Sequence, residues 1–221
     1  MTAPVPPLRT QPSARLVESP VIAVLRAKHP KDYDAVVEVL VEHGVTSIEL
    51  TLSTPGTLNH LPSLLERVGE AADVGIGTIT NAGQAQQALD AGAAYLVTPI
   101  MKLDVVELAV QRGVPVFPGG LTPTDLFAGW DAGATAVKIF PAETVGPQYG
   151  AHLRGPFPDI QFVPSGGIGL SDIPAWLSAG AIAVSLGGPI VGDALKGGSL
   201  SELADRVKQT MHIVAEWKES R

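Results

Sequence analysis

One hydropathy pattern repeats along this chain. A helix-like segment ends in a glycine, and a short apolar run follows at once. It appears as EHGVTSIEL (42–50), DAGAAYLVTP (90–99), QRGVPVFPG (111–119), DAGATAVKIFP (131–141) and SAGAIAVSLGG (178–188). Each glycine suits the position just past a helix, where left-handed backbone meets no Cβ penalty. Each run after it has strand character. VIAVL (21–25), DVGIG (73–77) and IQFVPSGG (160–167) complete about eight strands at roughly 20–27-residue spacing. Helical periodicity fills the gaps. Residues 31–43 place Val36, Val39, Leu40 and His43 on one face, and 82–91 and 103–112 behave likewise. The last helix, about 200–217, spaces Leu200, Leu203, Val207, Val214 and Trp217 along a stripe behind a Ser199 N-cap. The rhythm predicts an α/β fold, a small (β/α)8 barrel over 16–221. A doubly wound open sheet is the rival. It usually carries a glycine-rich turn after its first strand, and VIAVLRAKHP has none.

The same alternation says which side chains face inward. In AVKIF (136–140), Val137 and Ile139 suit the helix-facing side, so Lys138 and Phe140 point inside. In SIELTLS (47–53), Ile48, Leu50 and Leu52 suit the outside, so Ser47, Glu49, Thr51 and Ser53 point in. A lysine and a glutamate from the second and sixth strands thus converge on one interior. A structural ion pair there is a poor stabiliser, because desolvation offsets most of its Coulomb gain. Covalent catalysis is the stronger reading. Apolar burial favours a neutral, nucleophilic amine, a neighbouring carboxylate favours the ammonium, and the sequence leaves that contest open. A neutral amine condenses with a ketone to an imine, and a carboxylate such as Glu49 moves the protons.

Composition narrows the field. The chain is 45% apolar and 17% charged, which suits a packed core and excludes disorder. A net charge of −7 with no basic run argues against nucleic acid as a partner. Cysteine is absent, so thiolate chemistry and disulfides are excluded. No apolar run reaches membrane-spanning length, and MTAPVPPLRTQPSAR (1–15) is proline-rich, without the apolar stretch of a secretory signal. The expectation is a cytoplasmic protein with a loose tail at 1–15.

Polar ends of the predicted strands form a rim. PSGGIG (164–169) follows the seventh strand and LGGP (186–189) the eighth, the two places where such barrels often hold phosphate. Gly166, Gly167, Gly187 and Gly188 let backbone approach a phosphate, and Ser165 adds a hydroxyl. Arg26 ends the first strand, placed to fork onto a carboxylate or phosphate, and Thr78 the third, placed to donate to a substrate carboxylate or hydroxyl. Thr98 and Pro99 close the fourth strand, and Pro118 and Gly119 the fifth, shaping the pocket.

ELTLST (49–54), GIGTIT (75–80), VTP (97–99), FPGG (117–120), KIFPAE (138–143), PSGGI (164–168) and LGG (186–188) stand in a familiar order. In order and spacing they resemble the 2-keto-3-deoxy-6-phosphogluconate aldolase family over nearly the whole chain after the tail. KIFPAE is the most specific of them. The resemblance implies a class I aldolase on a (β/α)8 barrel, usually a homotrimer, with no metal or other cofactor. It implies cleavage of a phosphorylated 2-keto-3-deoxy sugar acid to pyruvate and glyceraldehyde 3-phosphate. Lys138 would be the Schiff-base lysine and Glu49 the general acid/base. Thr78 would meet the carboxylate of the pyruvate unit, and the four glycines would line the phosphate site. Gluconate-type members typically carry arginine where this chain has Ser53, and serine where it has Pro189. Arg26 stands as a substitute for the first. KIFPAETVGPQY (138–149) looks more like the galactonate branch, and 4-hydroxy-2-oxoglutarate is an alternative substrate.

Two other classes compete. A metal-dependent enolate enzyme needs ligands at several strand ends. The histidines, His29, His43, His60, His152 and His212, lie outside the predicted strands and form no ligand-spaced cluster. A non-catalytic sugar-phosphate-binding barrel would keep the glycine turns and has no need of a buried lysine.

Overall fold

The structure is a computed structural model and describes residues 9–221. Its elements are α1 (Ala14–Glu18), β1 (Val21–Leu25), α2 (Tyr33–Glu42), β2 (Ser47–Thr51), α3 (Thr57–Val68), β3 (Asp73–Gly77), α4 (Ala82–Asp90), β4 (Leu96–Val97), α5 (Leu103–Gln111), β5 (Val116–Phe117), β6 (Gly119–Gly120), α6 (Pro123–Asp131), β7 (Val137–Ile139), α7 (Pro147–Leu153), β8 (Phe162–Pro164), α8 (Ile173–Ser178), β9 (Val184–Leu186), α9 (Gly188–Val191) and α10 (Leu200–Glu219).

The recurring glycines all take positive φ: +95° at Gly44, +96° at Gly92, +65° at Gly113, +100° at Gly133 and +96° at Gly180. In each case the next residue's N–H reaches back five residues to a helix carbonyl, as in Val45 to Leu40 at 2.9 Å and Ala181 to Trp176 at 3.1 Å. That bond ends the helix and turns the chain into the next strand. Helix starts are equally local. The side chains of Asn81, Thr122 and Ser199 accept the N–H of Gln84, Asp125 and Glu202.

The strands are parallel and curl. One sheet runs β5-β4-β3-β2-β1-β9 and a second β6-β7-β8. Register pairs Glu49 with Val24 on one side and with Gly75 on the other. The expected fifth strand is split into β5 and β6 by Pro118, which has no N–H to give to a ladder. The Thr98 hydroxyl accepts the Gly119 N–H at 3.0 Å beside the break. Ser165 and Ser185 form a parallel bridge between β8 and β9.

Two apolar cores lie on the two faces of the curl. The larger sits between strands and helices and includes Ile48, Leu50, Val137, Ile139 and Trp176. The smaller lies on the concave face and unites Leu16, Ile22, Tyr95, Val97, Phe117, Ala136, Val163 and Ala183. Leu16 belongs to α1, so residues 9–15 are no loose tail. Ser13 caps α1, Arg15 pairs with Asp73 at 3.3 Å, and the Arg9 guanidinium lies 3.3 Å over the Trp130 ring. The apolar Leu16 carries this segment into the core, a pull that its proline-rich surroundings obscure. The rest of the expected tail, 1–8, lies outside the described residues. Two smaller corrections concern the helices. Val37 is buried in α2 while Val39 is only half-buried, and Leu200 at the start of α10 is exposed. Among the described residues no helix is long and apolar enough to cross a membrane.

Candidate active site

β7 is a three-residue strand with Val137 and Ile139 packed toward the helices. Alternation then turns Lys138 to the concave face. The same rule turns Glu49 inward from the middle of β2. Both are buried, Glu49 to 2% and Lys138 to 7% exposure. Lys138 Nζ lies 3.8 Å from Glu49 Oε2, an ion-pair contact beyond hydrogen-bond length. Glu49 Oε2 has no hydrogen-bond partner among the described residues. Such an arrangement is a costly way to stabilise a fold. It is a usable way to hold a nucleophile and a proton carrier over the same small volume.

β3 makes the room. A Cβ at Gly77 would come within 1.9 Å of Glu49 Oε1, and one at Gly75 within 2.3 Å of the Tyr95 ring. Two glycines two positions apart therefore seat Glu49 above Tyr95. The Tyr95 hydroxyl is fully buried and unpartnered among the described residues. Burial first, then the Glu49 and Asp73 carboxylates, push its pKa well above the ordinary tyrosine value. Tyr95 stays neutral beneath the site.

Above the pair opens a cavity of about 650 Å3 at the C-terminal ends of the strands. Arg26, Glu49, Thr78, Pro99, Lys138, Phe140, Ser165, Gly166, Gly167, Gly187 and Gly188 all line it, whereas Thr98, Pro118 and Gly119, expected to shape the pocket, do not. The Phe140 ring centroid is 5.4 Å from Lys138 Nζ. Thr78 holds φ +62°, a strained choice for a β-branched residue of the kind found at functional sites. Gly166 and Gly167 take φ +89° and +74°. A side chain at Gly167 would strike the Glu143 carboxylate at about 2.0 Å. This turn is tied to the KIFPAE segment, because Ala142 N–H donates to Ser165 O at 2.8 Å and Glu143 N–H to Gly166 O at 3.1 Å.

Ser53 is a correction. β2 ends at Thr51, so alternation stops there, and Ser53 is exposed with its hydroxyl 2.8 Å from that of Thr51. Sequence reasoning also missed several lining side chains, the polar Ser185 and Lys196 among them. Ser185, which accepts from the Ser165 hydroxyl at 3.2 Å, follows Ala183 in strict alternation and was legible in AVSLGG. Lys196 lies in a turn after β9, where no periodicity marks it. Among the described residues no three His, Asp or Glu side chains gather as metal ligands.

Parallel strands with a buried lysine and carboxylate at their C-terminal ends define an α/β protein with an enzyme-type cavity. Solved structures share the fold. One described as native KDPGal superposes with a TM-score of 0.86 at 28% identity, over 95% of this chain and 99% of that one. The KDPG aldolase of Legionella pneumophila, solved with pyruvate captured at low pH as a covalent carbinolamine, gives 0.80 at 27% identity, over 91% and 98% of the two chains. In sequence, the 2-dehydro-3-deoxy-6-phosphogalactonate aldolase of Escherichia coli K12 is 33% identical over 169 residues, covering 76% of this chain and 82% of its own. The family described as "Aldolase: KDPG and KHG aldolase" matches residues 13–205. The chain belongs to the KDPG and KHG aldolase family.

Proposed function

We propose that this chain is a class I aldolase that cleaves a 2-keto-3-deoxy-6-phospho sugar acid to pyruvate and D-glyceraldehyde 3-phosphate. The observation that carries the reading is the buried Lys138 amine, 3.8 Å from a buried carboxylate at the floor of the cavity. The neutral Lys138 amine attacks the C2 ketone and gives a carbinolamine, which loses water to a protonated imine. Glu49 takes the proton of the C4 hydroxyl. The C3–C4 bond breaks, its electron pair moves into the imine as an enamine, and the aldehyde leaves. Protonation at C3 and hydrolysis then release pyruvate and the free amine. Arg26 and Thr78 receive the substrate carboxylate, Pro99 and Phe140 wall the pocket, and the turns at Ser165–Gly167 and Gly187–Gly188 approach the phosphate with backbone N–H groups. The carbinolamine of the Legionella pneumophila relative supports the imine route. No step calls on a metal or cofactor.

Both the galactonate-type relative and GPQY (146–149) favour the galactonate epimer. Cleavage of 4-hydroxy-2-oxoglutarate, which the family description also covers, would follow the same steps. The two sheets read together as one closed (β/α)8 barrel. Supporting closure, Pro118 alone separates β5 from β6, and the Ser165–Ser185 bridge joins β8 to β9. A homotrimer would cover Ile100, Leu103 and Phe127, which are 51%, 45% and 38% exposed. A multiply charged substrate does not cross a lipid bilayer unaided, which supports a cytoplasmic enzyme. The test is incubation with pyruvate and borohydride, followed by peptide mapping. An irreversible adduct on Lys138 is expected, and its absence ends the proposal.

A further inference from the structure

The charge of the cavity opposes that of the chain. Overall, 22 acidic residues outnumber 15 basic ones. The ionisable groups lining the cavity are Arg26, Lys138 and Lys196 against Glu49 alone. Lys138 is paired with Glu49. That leaves Arg26 and Lys196 as surplus cations at an open mouth. Among the described residues neither enters an ion pair. A mouth of this kind attracts and holds an anion.

Lys196 stands on a built turn rather than a loose loop. Its own N–H donates to Asp193 O at 2.8 Å, and the neighbouring Ala194 and Leu195 are buried. The Arg206 guanidinium donates to Ile190 O at 2.8 Å and Val191 O at 3.0 Å, pinning the stretch that leads from β9 into the turn. A Cβ at Gly192 would meet that guanidinium at about 2.6 Å, so the turn and α10 fit only because a glycine lies between them. Lys196 follows β9, whereas Thr78 follows β3, with β1 and β2 between them in the strand order. The two side chains therefore reach the cavity from separate parts of its wall.

We propose that Lys196 is the specificity residue for the phosphorylated end of the substrate. The proposal rests on the aldolase reading and deepens it. The glycine turns let backbone come close to a phosphate but supply no full charge. An ammonium supplies one, as a compact point charge with three donors. It also gives the cavity a cation, which the exposed Ser53 does not.

The test compares kcat/KM for 2-keto-3-deoxy-6-phosphogalactonate with that for its unphosphorylated analogue. In Lys196→Gln the preference for the phosphorylated substrate falls by about 10- to 100-fold, mainly through KM, and Lys196→Arg keeps most of it. A ratio within about twofold of the native chain overturns the proposal. So does an arginine variant as impaired as glutamine, which would mean a merely structural lysine. So does loss of the preference in Arg26→Gln alone. Pyruvate trapping on the native chain separates the two ideas. No adduct sinks the aldolase itself, whereas an adduct with an unchanged ratio sinks only the role of Lys196.

Discussion

Ala136 and Lys138 stand two positions apart in one extended run and face the same way. So do Val163 and Ser165, and Ala183 and Ser185. The first of each pair belongs to the apolar concave core closed by Leu16, and the second lines the cavity. One step of two residues, about 7 Å, separates a packed end from a reactive one. At the lower end Tyr95 and Phe117 meet edge to face at 5.7 Å among small apolar side chains. At the upper end a lysine and a carboxylate share a cavity in which Glu49 Oε2 has no hydrogen-bond partner among the described residues. On the proposed mechanism, stability and chemistry fall to opposite ends of the same strands, as in parallel α/β folds with active sites at their C-terminal face. The upper end is expected to contribute little to stability and the lower end little to turnover.

The largest effect should come from Lys138→Met, which removes the nucleophile. Turnover and borohydride trapping fall by at least about 10^4-fold. The variant also leaves Glu49 as an uncompensated buried charge, so denaturant melts at neutral pH show lower stability. The double variant Lys138→Met with Glu49→Leu recovers that stability, or exceeds the native value by about 1–4 kcal/mol, and remains inactive. A double variant as unstable as the single one would break the comparison, because the pair would then hold the fold together.

Next in size is Phe117→Ala at the lower end, with an expected loss of about 3–5 kcal/mol in chemical denaturation. Leu16→Ala should cost about 2–5 kcal/mol in the same assay. The folded fraction of either variant keeps its kcat within about twofold. A large fall in kcat would mean that packing at this end positions the chemistry.

Gly77→Ala sharpens the boundary. Its methyl group would overlap the Glu49 carboxylate, so Glu49 must move, and kcat should fall by about 10^2-fold with the fold retained. Unchanged kinetics would exclude Glu49 as the proton carrier in its observed place.

The smallest effect is that of Tyr95→Phe. It deletes a buried hydroxyl with no partner, so stability near neutral pH changes by less than about 1 kcal/mol. Above pH about 10 the unfolded chain releases the tyrosine proton while the folded chain, its pKa raised, keeps it. Native stability therefore declines as pH rises through that range, and the phenylalanine variant should lose less. Identical alkaline melts would mean that Tyr95 is not the buried acid inferred here.

Most of the scaffold was legible without coordinates. The glycine after each of five helices, the runs that follow them and the N-cap at Ser199 obey rules that span a few residues. So does the inward turn of Lys138 and Glu49. Reading failed where a rule ended or a distant partner took over. Alternation stopped with β2, so Ser53 left the interior. Pro118 interrupted the fifth strand for want of an N–H. The proline-rich start hid Leu16, whose partners lie on strands from Ile22 to Ala183.

By itself the sequence determined the strand–helix rhythm and the face of each strand residue, because period and capping depend on neighbours in the chain. Only the tertiary structure decided that Lys138 and Glu49, 89 positions apart in number, meet at 3.8 Å, that Gly77 makes room for Glu49 and Gly75 for Tyr95, and that Lys196 reaches the same cavity. Those facts depend on how the sheet curls and which strands become neighbours, and no local pattern encodes a distance across a fold.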